Sequence, residues 1–455
     1  MKKAAEYANE KILVLGLARS GVAAAKLLHQ LGAFVTVNDA KNIDENPEAQ
    51  ELLALGMTVI TGSHPIDLLD EGFSLIVKNP GIPYTNPILE KAIEKNIPIM
   101  TEVEIAHAVS EAEFIGITGT NGKTTTTTMI YQLLNSERSK GEAKLAGNIG
   151  FPTSDVVLKA KSDDVLVTEL SSFQLMGIDK FKPSIALITN LFEAHIDYHG
   201  SRDNYVSAKW EIQKNMTSAD YLILNGNQAE LRKLAETTKA TVIYFSTTCL
   251  EKEGAYLLED ALVYKDEKIM LASEVGVPGS HNIENALAAI IVAKLSGVSN
   301  ESIRQTLMNF SGVPHRTEFI GEYDGVRIYN DSKATNILAT EKALSGFNNE
   351  HLVLIAGGLD RGNGFEELEE SLVGLKALVA TGETADKLIE TAKKMGVTNC
   401  VKVSDMGQAV KAAWEISERE DAILLSPACA SWDQYKNFEI RGEAFVKEIK
   451  QIVSR

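Results

Sequence analysis

Phe114-Ile115-Gly116-Ile117-Thr118-Gly119-Thr120-Asn121-Gly122-Lys123-Thr124 is the stretch on which the reading of this chain turns. A short apolar run, Phe114–Ile117, passes into a glycine-rich turn and then into a helical stretch that reaches Leu134. A strand that feeds a helix through such a turn exposes backbone N–H groups at the helix N-terminus, where the peptide dipoles add positive potential. Lys123 can reach β- and γ-phosphates, and the Thr124 hydroxyl can bind Mg²⁺. Gly119, Thr120, Asn121, Gly122, Lys123, Thr124 and Thr125 are therefore the expected ATP-binding residues of this loop. The spacing departs from the usual GxxxxGK[ST] loop, because Ile117 holds the first glycine position and glycines stand at 116 and 119 instead.

Outward from this loop, short apolar runs alternate with helical stretches along nearly the whole chain. Ile12–Leu15, Phe34–Val37, Leu75–Val77, Val165–Val167, Ile185–Ile188, Leu352–Ala356 and Ile423–Leu425 are such runs. Runs this short, and apolar on both faces, predict buried parallel strands, and strands spaced by helices predict an α/β architecture. The 455 residues are enough for about three domains. The strand series restarts near Phe114 and again after Gly312-Val313-Pro314, ahead of a strand at Val326–Tyr329. The expected domains are 1–100, 101–312 and 313–455.

Composition narrows the function. Hydrophobic residues make up 44% and charged residues 24%, the balance of a globular protein rather than a disordered one. The formal net charge of −17 disfavours a general nucleic-acid binder, although a local loop can still bind a small anion. Cys249, Cys400 and Cys429 contain no CxxC pair, so neither a disulfide framework nor a zinc knuckle is expected. No apolar stretch approaches the ~18–20 residues that span a bilayer. The Met1-Lys2-Lys3-Ala4-Ala5-Glu6 start carries no apolar signal core. A cytoplasmic, multidomain enzyme is the expectation.

Three further stretches carry chemistry. Gly16-Leu17-Ala18-Arg19-Ser20-Gly21 follows the first strand, and Asp39 closes the second, as in a dinucleotide-binding βαβ unit. Ala18 stands where a second glycine would let a pyrophosphate approach, so a nucleotide-like ligand and a plain tight turn both remain open. Glu169 ends the run Val165–Thr168, placed to hold a metal beside the phosphate loop or simply to be solvated. His195 follows the run Ile185–Ile188 with Glu193 and Asp197 nearby, which admits a second cation, and His195 and His199 lack the HExxH pattern of a zinc protease.

Taken together, the motifs resemble the Mur peptide ligase family. Thr118–Thr124, Glu169–Leu175, the His195 loop and Ser207-Ala208-Lys209 match its central ATPase domain. The resemblance continues through His281–Ala286, Pro314-His315-Arg316, Asn330–Asn336 and the run Leu425–Gly442. That last run, SPACAS followed by DQ, KNFE and RG, together with a nucleotide-type first domain, marks the D-glutamate-adding members. The resemblance implies an α/β chain of three domains: a Rossmann-like N-terminal domain, a central P-loop-type ATPase domain and a Rossmann-like C-terminal domain.

The activity the resemblance implies is ATP-dependent ligation in peptidoglycan precursor synthesis. UDP-N-acetylmuramoyl-L-alanine would be activated as an acyl phosphate and then attacked by the amine of D-glutamate. Lys123, His195, Lys209 and Lys333 would be catalytic. Two Mg²⁺ ions would be held, one by Thr124 and Glu169 and the other by His195 and a Lys209 carbamylated by CO₂; without the resemblance, Lys209 reads as an ordinary surface lysine. Gly16, Leu17, Ala18, Asp39, Asn148 and Ser171 match sugar-nucleotide positions. Asn285, Arg316 and Asp331 match ATP positions, with Asp331 at the ribose. Lys333, Thr335, Arg361, Ser431 and Phe438 would surround D-glutamate. An Arg at 361 where the family can carry Lys, and Ala40-Lys41 after Asp39, are departures. The implied partners are small molecules, with a monomeric chain, no nucleic acid, no membrane insertion, and domain closure to exclude water from the acyl phosphate. Another Mur ligase, a folylpolyglutamate synthetase, an NAD(P) oxidoreductase and a nucleotide-gated binding protein are the competing readings.

Overall fold

A computed structural model describes residues 5–43, 47–248 and 251–454. Cys249 and the first four residues of the N-terminal stretch read above lie outside the described residues. Cys400 and Cys429 are free thiols. Among the described residues no helix is long and apolar enough to cross a membrane.

The first sheet is parallel: β1 (Lys11–Leu15), β2 (Phe34–Asp39), β3 (Thr58–Thr61), β4 (Leu75–Lys78) and β5 (Ile99–Met100), in the order β3-β2-β1-β4-β5. Strand β1 shows why an apolar run forms such a strand. Ile12 and Val14 enter one hydrophobic cluster, and Leu13 and Leu15 enter another on the opposite face. Each such side chain contributes about 1.5–3 kcal/mol on burial, which favours a strand covered on both sides. The strand order reverses between β1 and β4, and a crevice opens beyond strand ends at such a point.

The second sheet has nine strands: β6 (Glu113–Thr118), β7 (Ala143–Gly147), β8 (Val165–Glu169), β9 (Ile185–Ile188), β10 (Tyr221–Asn225), β11 (Thr241–Ser246), β12 (Ala255–Leu258), β13 (Ala261–Tyr264) and β14 (Glu267–Leu271). Their order is β14-β13-β12-β11-β10-β9-β6-β8-β7. Strand β6 lies between β9 and β8, parallel to both, so the phosphate loop, Glu169 and the His195 segment all leave the same edge of the sheet. The expectation of parallel strands holds for most of this sheet. The meander β12-β13-β14 is antiparallel, turned by two-residue loops in which Glu259 and Lys265 take positive φ.

The third sheet comprises β15 (Glu318–Tyr323), β16 (Val326–Asn330), β17 (Leu352–Ala356), β18 (Ala377–Ala380), β19 (Cys400–Lys402) and β20 (Ala422–Leu425), ordered β15-β16-β20-β17-β18-β19. Only β15 is antiparallel to its neighbour. Leu352, Leu354 and Ala356 of β17 face one core cluster, and Val353 and Ile355 face the other.

The chain divides into two compact units. One holds the first two sheets and takes in Glu284–Leu307; the other comprises Glu274–Ile283 and the residues from Met308 onward.

Candidate active site

In the first unit the phosphate loop is built by close backbone packing. Gly119 has φ 143°, and a Cβ there would meet Thr189 Oγ1 at 1.9 Å; Gly122 has φ 79°, and a Cβ there would meet Asn285 Oδ1 at 2.4 Å. Only glycine fits either place. The Asn121 N–H donates to Asn190 Oδ1 at 2.9 Å, and Thr189 Oγ1 donates to the Asn121 carbonyl at 2.6 Å. Lys123 opens the helix Lys123–Ser136 and turns its Nζ back onto the carbonyls of Gly119 (2.9 Å) and Thr120 (2.8 Å). Thr124 and Thr125 sit half-buried in the first turn of that helix. Asn285 is buried behind the loop and accepts a hydrogen bond from Thr126 Oγ1 at 3.1 Å.

Glu169 ends β8 fully inside the protein rather than solvated. Its Oε1 accepts from Asn148 Nδ2 at 2.9 Å, while Oε2 has no hydrogen-bond partner among the described residues. An orphaned carboxylate oxygen at the edge of a phosphate loop suits a hard divalent cation. Lys209, on the helix Arg202–Trp210, is buried as well, which rules out the surface-lysine reading. Its Nζ reaches Thr118 Oγ1 at 3.4 Å and lies 4.9 Å from the centre of the Tyr205 ring. Burial first, and then the Lys123 charge, drive its amine well below the usual lysine range, with Glu169 opposing. His195 takes a left-handed backbone, φ 54°, at the start of the helix Ile196–His199. Burial and the charges of Lys209 and Lys123 lower its basicity against the pull of Asp197, which favours the neutral imidazole a metal needs. Among the described residues no three His, Cys, Asp or Glu side chains converge as a metal cluster.

Gly16 closes β1 with a positive φ of 95°, and Asp39 reaches across from β2. Asp39 Oδ2 accepts from the Leu17 N–H at 2.6 Å and Oδ1 from the Lys41 N–H at 2.9 Å, so this carboxylate orders the loop that carries Leu17 and Ala18. Ser171 forms a capping box with Gln174 at the start of Ser172–Leu175.

In the second unit the strand ends collect the remaining residues. Asp331 follows β16, buried, and accepts from the Thr317 N–H (3.0 Å) and Ser426 Oγ (2.8 Å). Burial raises its pKa to about 6, against those hydrogen bonds and the Arg316 charge. Lys333 Nζ lies 5.5 Å from the centre of the Phe438 ring. Thr335 and Arg361 line one cavity of about 280 Å³ with Phe365, Thr384 and Cys429. The Arg361 guanidinium also lies 5.3 Å from the exposed Trp432 ring. Ser431 is buried and its carbonyl accepts from the Gln434 and Tyr435 N–H groups. Sequence reasoning passed over Arg441, which is buried and donates to Ser332 Oγ (3.0 Å) and to the carbonyls of Ser332 (2.8 Å) and Cys429 (3.0 Å). It thereby ties the Lys333 and Ser431 segments together. Thr189, Asn190 and Tyr205 were likewise passed over, since nothing local in the sequence marks them as supports of the phosphate loop.

Known proteins with this sequence pattern share its whole length. The chain is 65% identical over 452 residues, 99% of each chain, to the UDP-N-acetylmuramoylalanine–D-glutamate ligase of Enterococcus faecalis. The chain belongs to the Mur ligase family. The family's MurD-like N-terminal domain matches residues 10–101, its middle domain 117–293 and its glutamate ligase domain 315–429. The Enterococcus hirae ligase of the same name is 60% identical over 444 residues, 98% of this chain and 96% of that one. Among solved structures, the UDP-N-acetylmuramate-alanine ligase MurC of Thermotoga maritima shares the Mur ligase fold with a TM-score of 0.58 at 21% identity, over 97% and 99% of the two chains.

Proposed function

We propose that this chain uses ATP to join D-glutamate to the alanyl carboxylate of UDP-N-acetylmuramoyl-L-alanine, through an acyl phosphate, in peptidoglycan precursor synthesis. The strongest support is the 65% identity to the E. faecalis D-glutamate ligase across 99% of both chains. The work divides among residues 1–100 for the UDP-sugar, 101–312 for ATP and 313–455 for D-glutamate. The chain acts as a monomer in the cytoplasm on small molecules, without nucleic-acid or membrane partners.

A carboxylate is a poor electrophile and must be activated before an amine attacks it. An alanyl carboxylate oxygen attacks the γ-phosphorus, the bond to the β–γ bridging oxygen breaks, and ADP leaves. Lys123 swings from the loop carbonyls to the phosphate oxygens and offsets the charge that builds between two anions. The free amine of D-glutamate then attacks the acyl carbon, the nitrogen gives up a proton, the carbon–oxygen bond to phosphate breaks, and the amide remains. Gly16, Leu17, Ala18, Asp39, Asn148 and Ser171 serve the sugar nucleotide, and Gly119–Thr125, Asn285, Arg316 and Asp331 serve ATP. Lys333, Thr335, Arg361, Ser431 and Phe438 receive D-glutamate, whose two carboxylates call for Lys333 and Arg361.

The donor set fits two Mg²⁺ ions: Thr124 and Glu169 would hold one, and His195 and Lys209 the other. Bound there, they would neutralise phosphate charge and orient the reacting oxygens. Lys209 takes its part as a carbamate. Its neutral amine attacks CO₂, an N–C bond forms, and a proton leaves to solvent, so a buried amine becomes an anionic oxygen ligand.

Phosphate release from ATP and UDP-N-acetylmuramoyl-L-alanine, measured with D-glutamate, L-glutamate and L-lysine in turn, tests the assignment. D-glutamate alone should drive turnover; release driven by L-lysine would refute it.

A further inference from the structure

Lys78 is a fully buried lysine outside every role described so far. It ends β4 at the point where the first sheet reverses its order. Its amino group lies 3.3, 3.1 and 3.0 Å from the carbonyl oxygens of Asn79, Pro80 and Ile82, and 3.2 Å from the Tyr198 hydroxyl. The Tyr198 hydroxyl reaches two of the same carbonyls, Pro80 at 3.2 Å and Ile82 at 3.0 Å. Three of these groups belong to one first-domain turn, and the fourth belongs to the short helix that begins at His195.

Both ends of this knot lead to the site. On one side, the Asn79 N–H donates to the Leu15 carbonyl at 2.7 Å and Asn79 Nδ2 to Ser20 Oγ at 3.1 Å, so the turn braces the loop that carries Gly16, Leu17 and Ala18. On the other, the Tyr198 ring packs edge-on against Phe173, with centroids 4.5 Å apart, and Phe173 packs edge-on against His195 at 5.0 Å. Phe173 also stacks on His199 at 5.3 Å, and the His199 ring nitrogen bonds Ser172 Oγ at 3.0 Å. Burying an amino group costs several kcal/mol. A turn that only needed its carbonyls satisfied could be met more cheaply by water or a backbone N–H.

We propose that Lys78 and Tyr198 are a positioning pair, which fixes the His195 loop against the first-domain turn and so sets the direction of the imidazole. The inference rests on the proposed ligase function. Both act on His195 through Phe173.

Tyr198→Phe in the full-length chain is the cleanest test, because it removes one hydroxyl and keeps the ring that packs on Phe173. With wild type first shown to release phosphate in a D-glutamate-dependent way, the variant should lose about tenfold in kcat, because a loosened His195 loop aims its imidazole less well in the activated complex. Its KM values for ATP and D-glutamate should stay within about twofold, since uniform binding is untouched. Lys78→Met should give a similar kcat loss, and the double variant should lose no more than either single one. Wild-type kcat in Tyr198→Phe, or losses that multiply in the double variant, would overturn the pairing. A wild-type chain without D-glutamate-dependent release would instead refute the ligase reading itself.

Discussion

Lys78 and Lys209 are buried to nearly the same degree, 1% and 2% exposed, yet their surroundings differ in kind. Burial pulls Lys78 down to about 7, and Lys209 is driven well below its usual range by burial and the Lys123 charge. Lys78 sits in a ring of three carbonyls and a phenol that uses up its donors. Among the described residues Lys209 has one long hydrogen bond, to a threonine hydroxyl, and an aromatic face beside it. A carbamate at 78 would press anionic oxygens against carbonyl oxygens, whereas at 209 it would relieve a buried, poorly paired amine. Burial alone lowers a lysine's basicity; the neighbouring atoms decide whether it becomes a clamp or a reagent.

The comparison can be broken most sharply at Lys209. Lys209→Ala should cut kcat by about a hundredfold or more, the scale of losing a group that stabilises developing charge. Its stability should stay within about 1 kcal/mol of wild type, because no strong partner is stranded. Full activity in this variant would exclude Lys209 from the chemistry. Peptide mapping of gently handled protein should find the added mass of one CO₂ on Lys209 and none on Lys78.

Carbamate formation releases a proton, so acid reverses it. Dialysis against CO₂-free buffer at falling pH should progressively abolish activity, and bicarbonate at higher pH should restore it. Activity indifferent to CO₂ would separate Lys209 from this chemistry.

Lys78→Met should, beside its loss in kcat, lower stability by about 2 kcal/mol, by leaving buried carbonyls without donors. The gap from wild type should depend on pH in a stated direction. With a folded value of about 7 against an ordinary 10.5, wild type carries the cost of a buried charge below pH 7 and sheds it as the pH rises toward 10.5. Wild-type stability rises over that window relative to Lys78→Met, so the gap in denaturation midpoint should widen. A gap that stays flat up to pH 10.5 and narrows beyond it would mean the oxygen ring raises the lysine's basicity rather than merely tolerating it.

Much of this was legible along the chain, for a reason that also marks where legibility ends. Ile185–Ile188 and Leu352–Ala356 are strands residue for residue, because a strand buried on both faces has no polar position to blur its ends. The meander Ala255–Leu271 was not legible: Glu267-Lys268-Ile269-Met270-Leu271 is half exposed and holds no run buried on both faces from end to end. The phosphate loop is local in sequence and announced itself. That Lys209 would be buried did not, since Arg202–Trp210 is a polar helix and its inward face is set by Thr118, 91 residues away. Lys78 and Tyr198 meet across 120 residues. The visible signal was a lysine ending the apolar run Leu75–Val77, and it carried no indication of a partner.

In the proposed reaction the phosphate loop sends the γ-phosphoryl group to the substrate's carboxylate rather than to water. UDP-N-acetylmuramoyl-L-alanine labelled with heavy oxygen in its alanyl carboxylate, turned over with ATP and D-glutamate, tests this directly. Each phosphate released should carry one labelled oxygen, taken from the carboxylate when the acyl phosphate breaks. Unlabelled phosphate, with the label retained in the substrate, would contradict it.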